Sequence, residues 1–234
     1  MKLSDFKALT FDVYGTLIDW ETGMIDGLKP LTDKVDRCLS RDEILEAHAY
    51  HESTAQRWTP TKKYNELLAV VYRRLAEEWS VDVSWEDCVA YGLSVRQWPA
   101  FDDTRPALAY LKQHFQLFVL TNTDNVSFSG SNARLGVHFD GIYTAEDIGS
   151  YKPADRNFTY MIDMLARRSI EKHEILHTAE SMFHDHGPAN SRLTRPIRHP
   201  IPRRAFKGEA VVAIARDGRG DVEVNNVTRP HYLV

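Results

Sequence analysis

Near its beginning the chain reads Ala8-Leu9-Thr10-Phe11-Asp12-Val13-Tyr14-Gly15-Thr16-Leu17. The apolar run at 8–11 predicts a short buried strand, and Gly15 predicts a tight turn soon after it. A carboxylate at the end of such a strand is held in place yet remains open to a ligand. Asp12 is therefore the first candidate for chemistry.

The rest of the chain divides by its periodicity into two kinds of segment. Residues 19–98 follow a helical pattern with no convincing strand, whereas strands and helices alternate after Pro99. Such alternation is typical of right-handed βαβ units on a parallel sheet. We expect an α/β fold with a doubly wound parallel sheet. Its core is predicted to consist of 1–18 and 99–234, and 19–98 to form an all-helical insert.

Local signals support both parts. In the insert, Ser40-Arg41-Asp42-Glu43 fits a capping box, 63–79 is amphipathic, and another helix starts at Ser84. The insert holds all five tryptophans, most of which we expect in core or insert–core contacts. In the core, the pattern predicts strands within 115–120, 139–145 and 174–178, helices over 104–114 and 155–168, and a loop through Gly149.

Polar side chains follow three of the predicted strands. They are Asp12, the pair Thr121-Asn122 and the pair Glu180-Ser181. Because ligands bind at the carboxyl ends of parallel strands, these residues predict a common site. Lys152, in a loop with Pro153, can supply a cation there that keeps Asp12 ionised, as a nucleophile requires.

This pattern resembles the haloacid dehalogenase superfamily over roughly residues 5–190. The resemblance implies a haloacid dehalogenase-like, Rossmann-type core and identifies the helical insert with the cap domain of that family. The family's motifs are matched in order by Asp12 with Gly15-Thr16, by Thr121, by Lys152 and by Asp185.

Within the superfamily the sequence is similar to the 2-haloacid dehalogenase (type II) branch. Phosphatase members usually carry a second Asp two positions after the nucleophile, which protonates the leaving alkoxide, whereas Tyr14 stands there in this chain. A halide leaves without a proton and needs no such acid. The Tyr151-Lys152-Pro153 segment is likewise similar to that branch.

The resemblance then implies a function. Asp12 displaces halide from a short 2-haloalkanoate, and water hydrolyses the resulting aspartyl ester to a 2-hydroxy acid. Asp12, Lys152 and Asp185 are the implied catalytic residues, and Tyr14, Thr121 and Asn122 the implied substrate-binding residues. The resemblance implies no metal or other cofactor. It implies that the protein forms a homodimer.

Other readings stay open on the sequence alone. A Mg²⁺-dependent phosphatase of the same superfamily would use Asp12 and Asp185 as ligands, and an inactive family member would act as a binding module. His184, Asp185 and His186 together could suggest zinc.

The branch also places an Arg on a cap helix to receive the halide. The matching place falls near His48 or Ala49, so Arg41, Arg57 or a tryptophan would have to substitute.

Composition limits the class of protein and the cellular compartment that the sequence predicts. The chain is 43% hydrophobic and 26% charged, which is ordinary for a globular protein. Its net charge of −4 argues against a general nucleic-acid binder, and no apolar run is long enough for a membrane helix. Two cysteines without metal spacing and an N-terminus without an apolar region predict a cytoplasmic protein.

The tail at 191–234 departs from the family. It holds 9 basic and 4 acidic residues, whereas 1–190 holds 20 basic and 29 acidic residues. Arginines and prolines crowd into 192–204, where the family continues with a small-residue helix. Apolar runs predict strands near 210–215 and 221–227.

Overall fold

The computed structural model describes residues 5–181 and 184–185, together with the backbone of 214–216 and 222–224. The core contains four short strands, β1 (Ala8–Phe11), β2 (Gln116–Thr121), β3 (Gly141–Thr144) and β4 (Ile175–Thr178). They form one sheet in the order β3-β2-β1-β4. All neighbouring pairs are parallel.

The helices of the core follow the strands in the alternating order that the sequence predicts. They are α5 (Thr104–Leu111), α6 (Asn125–Leu135), α7 (Ala145–Ile148) and α8 (Asp155–Ala166). They are numbered after the four helices of the insert, α1 (Trp20–Thr32), α2 (Arg41–Trp58), α3 (Tyr64–Glu78) and α4 (Trp85–Ser94). Short 3₁₀ turns occupy Val95–Gln97 and Lys172–Glu174.

Both faces of the sheet are covered by apolar side chains. Because side chains alternate along a strand, Leu117 and Val119 of β2 join one cluster, which includes α5, α6 and the insert helices. Phe118 and Leu120 join a second cluster with α8. A parallel sheet buried on both faces is the doubly wound arrangement, and the predicted fold class is confirmed.

The insert between β1 and β2 contains only helices over 19–98, and its local signals act as predicted. Ser40 Oγ accepts from the Glu43 amide, and the Glu43 carboxylate accepts from the Ser40 amide. Of the tryptophans, Trp98 is buried, but Trp58 and Trp85 are exposed. Trp20 and Trp79 pack against the core, so three of the five tryptophans make the expected contacts and the two exposed ones do not.

The core differs from the sequence expectation in detail. Helix α6 was not predicted, and the expected loop after β3 contains the short helix α7. Thr144 caps α7 by accepting from the Asp147 amide, and Gly149 ends it with a positive φ of 69°.

The predicted strands near 210–215 and 221–227 overlap an antiparallel pair, β5 (Ile214–Arg216) and β6 (Val222–Val224). No helix in the described part of the chain is long and apolar enough to cross a membrane.

The contact between α3 and α4 depends on a glycine. A Cβ placed on Gly92 would lie 2.1 Å from the main-chain oxygen of Asn65. We expect Gly92→Ala to force the two helices apart and to lower the free energy of unfolding by about 1–3 kcal/mol. Urea denaturation measures this loss.

The matched control is Ala90→Ser, on the exposed side of α4. This change should alter stability by no more than about 0.5 kcal/mol. Equal stabilities for the two variants would contradict the close approach of α4 to α3.

Candidate active site

The turn after β1 holds Asp12 at the carboxyl edge of the sheet. The Val13 carbonyl accepts from the amides of Thr16, Leu17 and Ile18, which closes the turn tightly. Gly15 has φ 96°, a conformation that favours glycine. The Asp12 amide donates to the Thr178 carbonyl of β4, so the carboxylate starts from a fixed main chain.

A buried ammonium joins two carboxylates at this edge. Lys152 Nζ lies 2.8 Å from Asp12 Oδ1 and 2.6 Å from Asp185 Oδ1. The Lys152 and Asp185 side chains are each 1% exposed and Asp12 is 9% exposed. The structure thus brings together the three residues for which the sequence predicts catalysis.

The electrostatics of this group keep it charged. Burial lowers the pKa of Lys152, but the charges of Asp12 and Asp185 outweigh it and raise that pKa above its usual value. Burial raises the pKa of Asp185, but the Lys152 charge and the hydrogen bond from His177 lower it to about 2. Lys152 is therefore a cation and Asp185 an anion at neutral pH.

Thr16 holds the second oxygen of the nucleophile candidate. Its hydroxyl donates to Asp12 Oδ2 over 2.9 Å and accepts from the Glu180 amide over 3.0 Å. Sequence reasoning used Thr16 only as part of a motif and assigned it no contact. Thr16 therefore links the turn after β1 to the polar pair after β4. The predicted common edge of the sheet could have suggested this contact.

Asn122 contacts the main chain of Lys152 through both ends of its amide. Its Oδ1 accepts from the Lys152 amide over 2.6 Å, and its Nδ2 donates to the Lys152 carbonyl over 3.0 Å. In these contacts it positions the lysine. Only the second Nδ2–H is left for the predicted contact with a substrate.

Thr121 and Tyr14 border the same edge. Thr121 Oγ1 is buried and has no hydrogen-bond partner among the described residues, so this hydroxyl is available to a ligand. The Tyr14 hydroxyl lies 3.0 Å from Ser131 Oγ, and its ring packs edge-on against Trp98. Burial raises the pKa of the Tyr14 hydroxyl well above its usual value, which makes it a poor proton donor to a leaving group.

Asp185 has a neighbour that sequence reasoning missed. Asp185 Oδ1 also lies 2.9 Å from His177 Nε2, while Asp185 Oδ2 is buried and has no partner among the described residues. His177 belongs to β4, and the alternation of that strand was the only signal for it. Of the trio considered for zinc, His186 lies outside the described residues.

The insert supplies no arginine at the place that the resemblance implies for halide. His48 is buried, bonds the Tyr91 hydroxyl over 2.7 Å, and burial lowers its pKa to about 3, so it is neutral. Arg41 is paired with Glu21. Among the tryptophans, Trp20 lies against the turn that follows Asp12, since a Cβ on Gly15 would be 3.2 Å from its Nε1.

The donor set does not fit the Mg²⁺ ion of the phosphatase reading. Asp12 and Asp185 each give one oxygen to Lys152, and the other oxygen of Asp12 accepts from Thr16 Oγ1. The part of the chain that the structure describes has no cluster of three or more His, Cys, Asp or Glu side chains able to hold a metal. The described residues form instead a carboxylate pair bridged by one ammonium.

The family of the chain follows from sequence comparison. A family model described as haloacid dehalogenase-like hydrolase matches residues 6–178. The chain belongs to this family of hydrolases. Comparison with curated protein sequences gives no match.

Solved structures show the same fold. The L-2-haloacid dehalogenase PA0810 superimposes with a TM-score of 0.68 at 20% identity, over 80% of this chain and 81% of that one. A putative haloacid dehalogenase-like hydrolase from Bacillus subtilis, YfnB, bound to magnesium, gives 0.66 at 18% identity, over 80% and 85%. The L-2-haloacid dehalogenase of Xanthobacter autotrophicus with chloropropionic acid covalently bound gives 0.67 at 15% identity, over 80% and 75%.

The buried ion group makes a prediction about stability. Lys152→Met leaves Asp12 and Asp185 as uncompensated buried charges and should lower the free energy of unfolding at pH 7 by about 3–5 kcal/mol. Lys29→Met, at an exposed ion pair, is the control and should change stability by no more than about 1 kcal/mol. Urea denaturation over a range of pH measures both.

The free energy of unfolding should depend on pH in a defined direction. The folded-state pKa of Asp185 lies below its unfolded value of about 3.9, so its contribution is present above that value and is lost as pH falls toward 2. Without Lys152 the folded-state pKa rises, and the stability difference between wild type and variant should narrow from pH 7 to about pH 4. A difference that does not change with pH would contradict a charge origin.

Proposed function

We propose that the protein is a hydrolytic 2-haloacid dehalogenase that converts short 2-haloalkanoic acids to 2-hydroxy acids. One observation carries the proposal: a buried carboxylate bonded to an ammonium lies beside a tyrosine where a proton donor for the leaving group would be needed. Such a site suits a leaving group that departs without a proton, and halide is one.

In the first step an oxygen of Asp12 attacks the α-carbon of the substrate. The C–O bond forms as the C–halogen bond breaks, the halide leaves with the bonding electrons, and the configuration at the carbon inverts. Lys152 Nζ contacts Asp12 Oδ1 and Thr16 Oγ1 donates to Asp12 Oδ2, which together fix the carboxylate. The product is an ester of Asp12, which replaces one difficult displacement by two easier steps.

In the second step water attacks the carbonyl carbon of the Asp12 ester. Asp185 accepts one proton of the water, and the ester C–O bond breaks with its electron pair on the leaving oxygen. That oxygen takes the other proton of the water, and the 2-hydroxy acid leaves as Asp12 returns to a carboxylate. Asp185 is suited to this role because it is ionised and its Oδ2 is not engaged by any described residue. The accepted proton then passes to solvent.

The substrate carboxylate needs hydrogen-bond donors near Asp12. The unengaged Thr121 hydroxyl and the second Nδ2–H of Asn122 supply them, and Tyr14 supplies an apolar wall. In this proposal 19–98 is the cap domain over the 1–18 and 99–234 core. The homodimer stays a prediction, which sedimentation of the purified chain would measure.

The solved structures that share this fold include members of the proposed branch. Two of the dehalogenases named above act on L-2-haloacids by their names, and one carries covalently bound chloropropionic acid. At such identities the likeness shows the fold alone. The step to this chain therefore depends on the site and has to be tested by activity.

Halide release tests the proposal. Wild-type protein should release chloride from 2-chloropropionate in the presence of EDTA, and Asp12→Asn should lower the rate by more than about 10³-fold because it removes the nucleophile. Asp26→Asn, at an exposed carboxylate on α1, is the matched control and should keep the wild-type rate. Ion chromatography measures the chloride.

Two results would overturn the assignment. Hydrolysis of p-nitrophenyl phosphate that EDTA abolishes, without chloride release, would identify the phosphatase reading. Absence of both activities in folded protein would identify a family member without catalysis.

Isotope labelling tests the ester. After several turnovers in ¹⁸O water, mass spectrometry should find label in the peptide that contains Asp12, because water attacks the carbonyl carbon of that residue. Multiple turnovers with an unlabelled Asp12 peptide would instead indicate direct attack of water on the substrate. The Asp26 peptide serves as the internal control.

A further inference from the structure

A buried imidazole lies behind the catalytic carboxylate. The His177 side chain is 2% exposed, and Phe158 packs edge-on against its ring at 5.4 Å. His177 Nε2 lies 2.9 Å from Asp185 Oδ1, and Nδ1 lies 2.8 Å from Thr10 Oγ1. Thr10 and His177 are register partners on β1 and β4, so the sheet itself sets this contact.

The partners of the ring define where its proton lies. Asp185 is ionised beside Lys152 and can only accept, so His177 has to donate to it from Nε2. In a neutral imidazole Nδ1 is then an acceptor, and the Thr10 hydroxyl donates to it. Thr10 thereby favours the tautomer that Asp185 requires.

Two donors contact the same oxygen of Asp185. Lys152 Nζ and His177 Nε2 both donate to Oδ1, from two different segments of the chain. Oδ2 is buried and has no hydrogen-bond partner among the described residues. A carboxylate fixed by two donors on one oxygen presents the other as a proton acceptor.

We infer that His177, with its ring proton placed by Thr10, is a positioning residue that fixes Asp185 for the ester-hydrolysis step. This inference rests on the proposed function, since it deepens the role of Asp185 in that reaction. His177 acts through Asp185 and takes no part in the attack of Asp12 on the substrate. The effect of changing it is therefore specific to the second step.

Rapid-quench kinetics with 2-chloropropionate separate the two steps. His177→Gln should retain a burst of one halide per active site, whereas steady-state turnover should fall about 10- to 100-fold. The ester should then accumulate on Asp12 and appear in the intact mass as one added carboxyethyl group. His173→Gln, at an exposed histidine just before β4, should behave as wild type.

Thr10 provides a second set of variants in case His177→Gln does not fold. Thr10→Val removes the hydroxyl at nearly constant volume and should slow turnover in the same step, and Thr10→Ser should restore it. A merely structural role would reduce burst and turnover together. Parallel losses in burst and turnover, or wild-type kinetics in His177→Gln, would overturn the inference.

A measurement on the wild-type chain separates this inference from the proposed function. Long-range ¹⁵N–¹H NMR of the histidine rings should place a proton on His177 Nε2, with assignment from the signal missing in the variant. A protein that releases halide but carries the ring proton on Nδ1 alone would overturn only the inference. Absence of halide release by wild type would overturn the proposed function, and the inferred role with it, whatever the spectrum shows.

Discussion

The Lys152 ammonium between Asp12 and Asp185 is the interaction on which the site depends. Each of these charges would be strongly unfavourable if buried alone, and their attraction compensates only because the distances are short. One cation and two anions leave a net negative charge. Two hydrogen-bond donors stabilise the carboxylates, since Thr16 donates to Asp12 and His177 donates to Asp185. The hydrogen bonds from Thr16, after β1, and from His177, in β4, thus add to the stabilisation that Lys152 gives the two carboxylates.

The parallel sheet makes this group possible. Asp12 follows β1, Asp185 follows β4, and Lys152 lies between α7 and α8, far from both in the sequence. Parallel strands end at a common edge, so short loops bring the three side chains into contact without a long connection. Asn122, after β2, then fixes the Lys152 main chain from the remaining strand of the edge. The apolar clusters on both faces keep that edge in one geometry.

Local sequence patterns predicted the fold class from the alternation of strands and helices, and Asp12 from its place at a strand end. Asp185 came from the family resemblance alone. The local patterns missed helix α6, whose sequence has small polar residues in place of an apolar stripe. Those residues have tertiary reasons, since Ser131 contacts the Tyr14 hydroxyl and a Cβ on Gly130 would lie 2.5 Å from the Arg96 carbonyl. The contacts of Asn122 and His177 also escaped prediction, because they join segments far apart in the chain.

The insert is attached to the core beside the charged group. At the start of α3, the Lys62 carbonyl accepts from the Tyr151 hydroxyl and the Asn65 amide donates to Asp124 Oδ2 over 2.8 Å. Lys63 Nζ adds an ion pair with Glu146 at 2.7 Å. Tyr151 directly precedes Lys152, and Asp124, which follows Thr121-Asn122 closely, also caps α6. The loops that contain Asn122 and Lys152 therefore also hold the insert. A displacement of α3 at this end would strain the contacts that position Lys152.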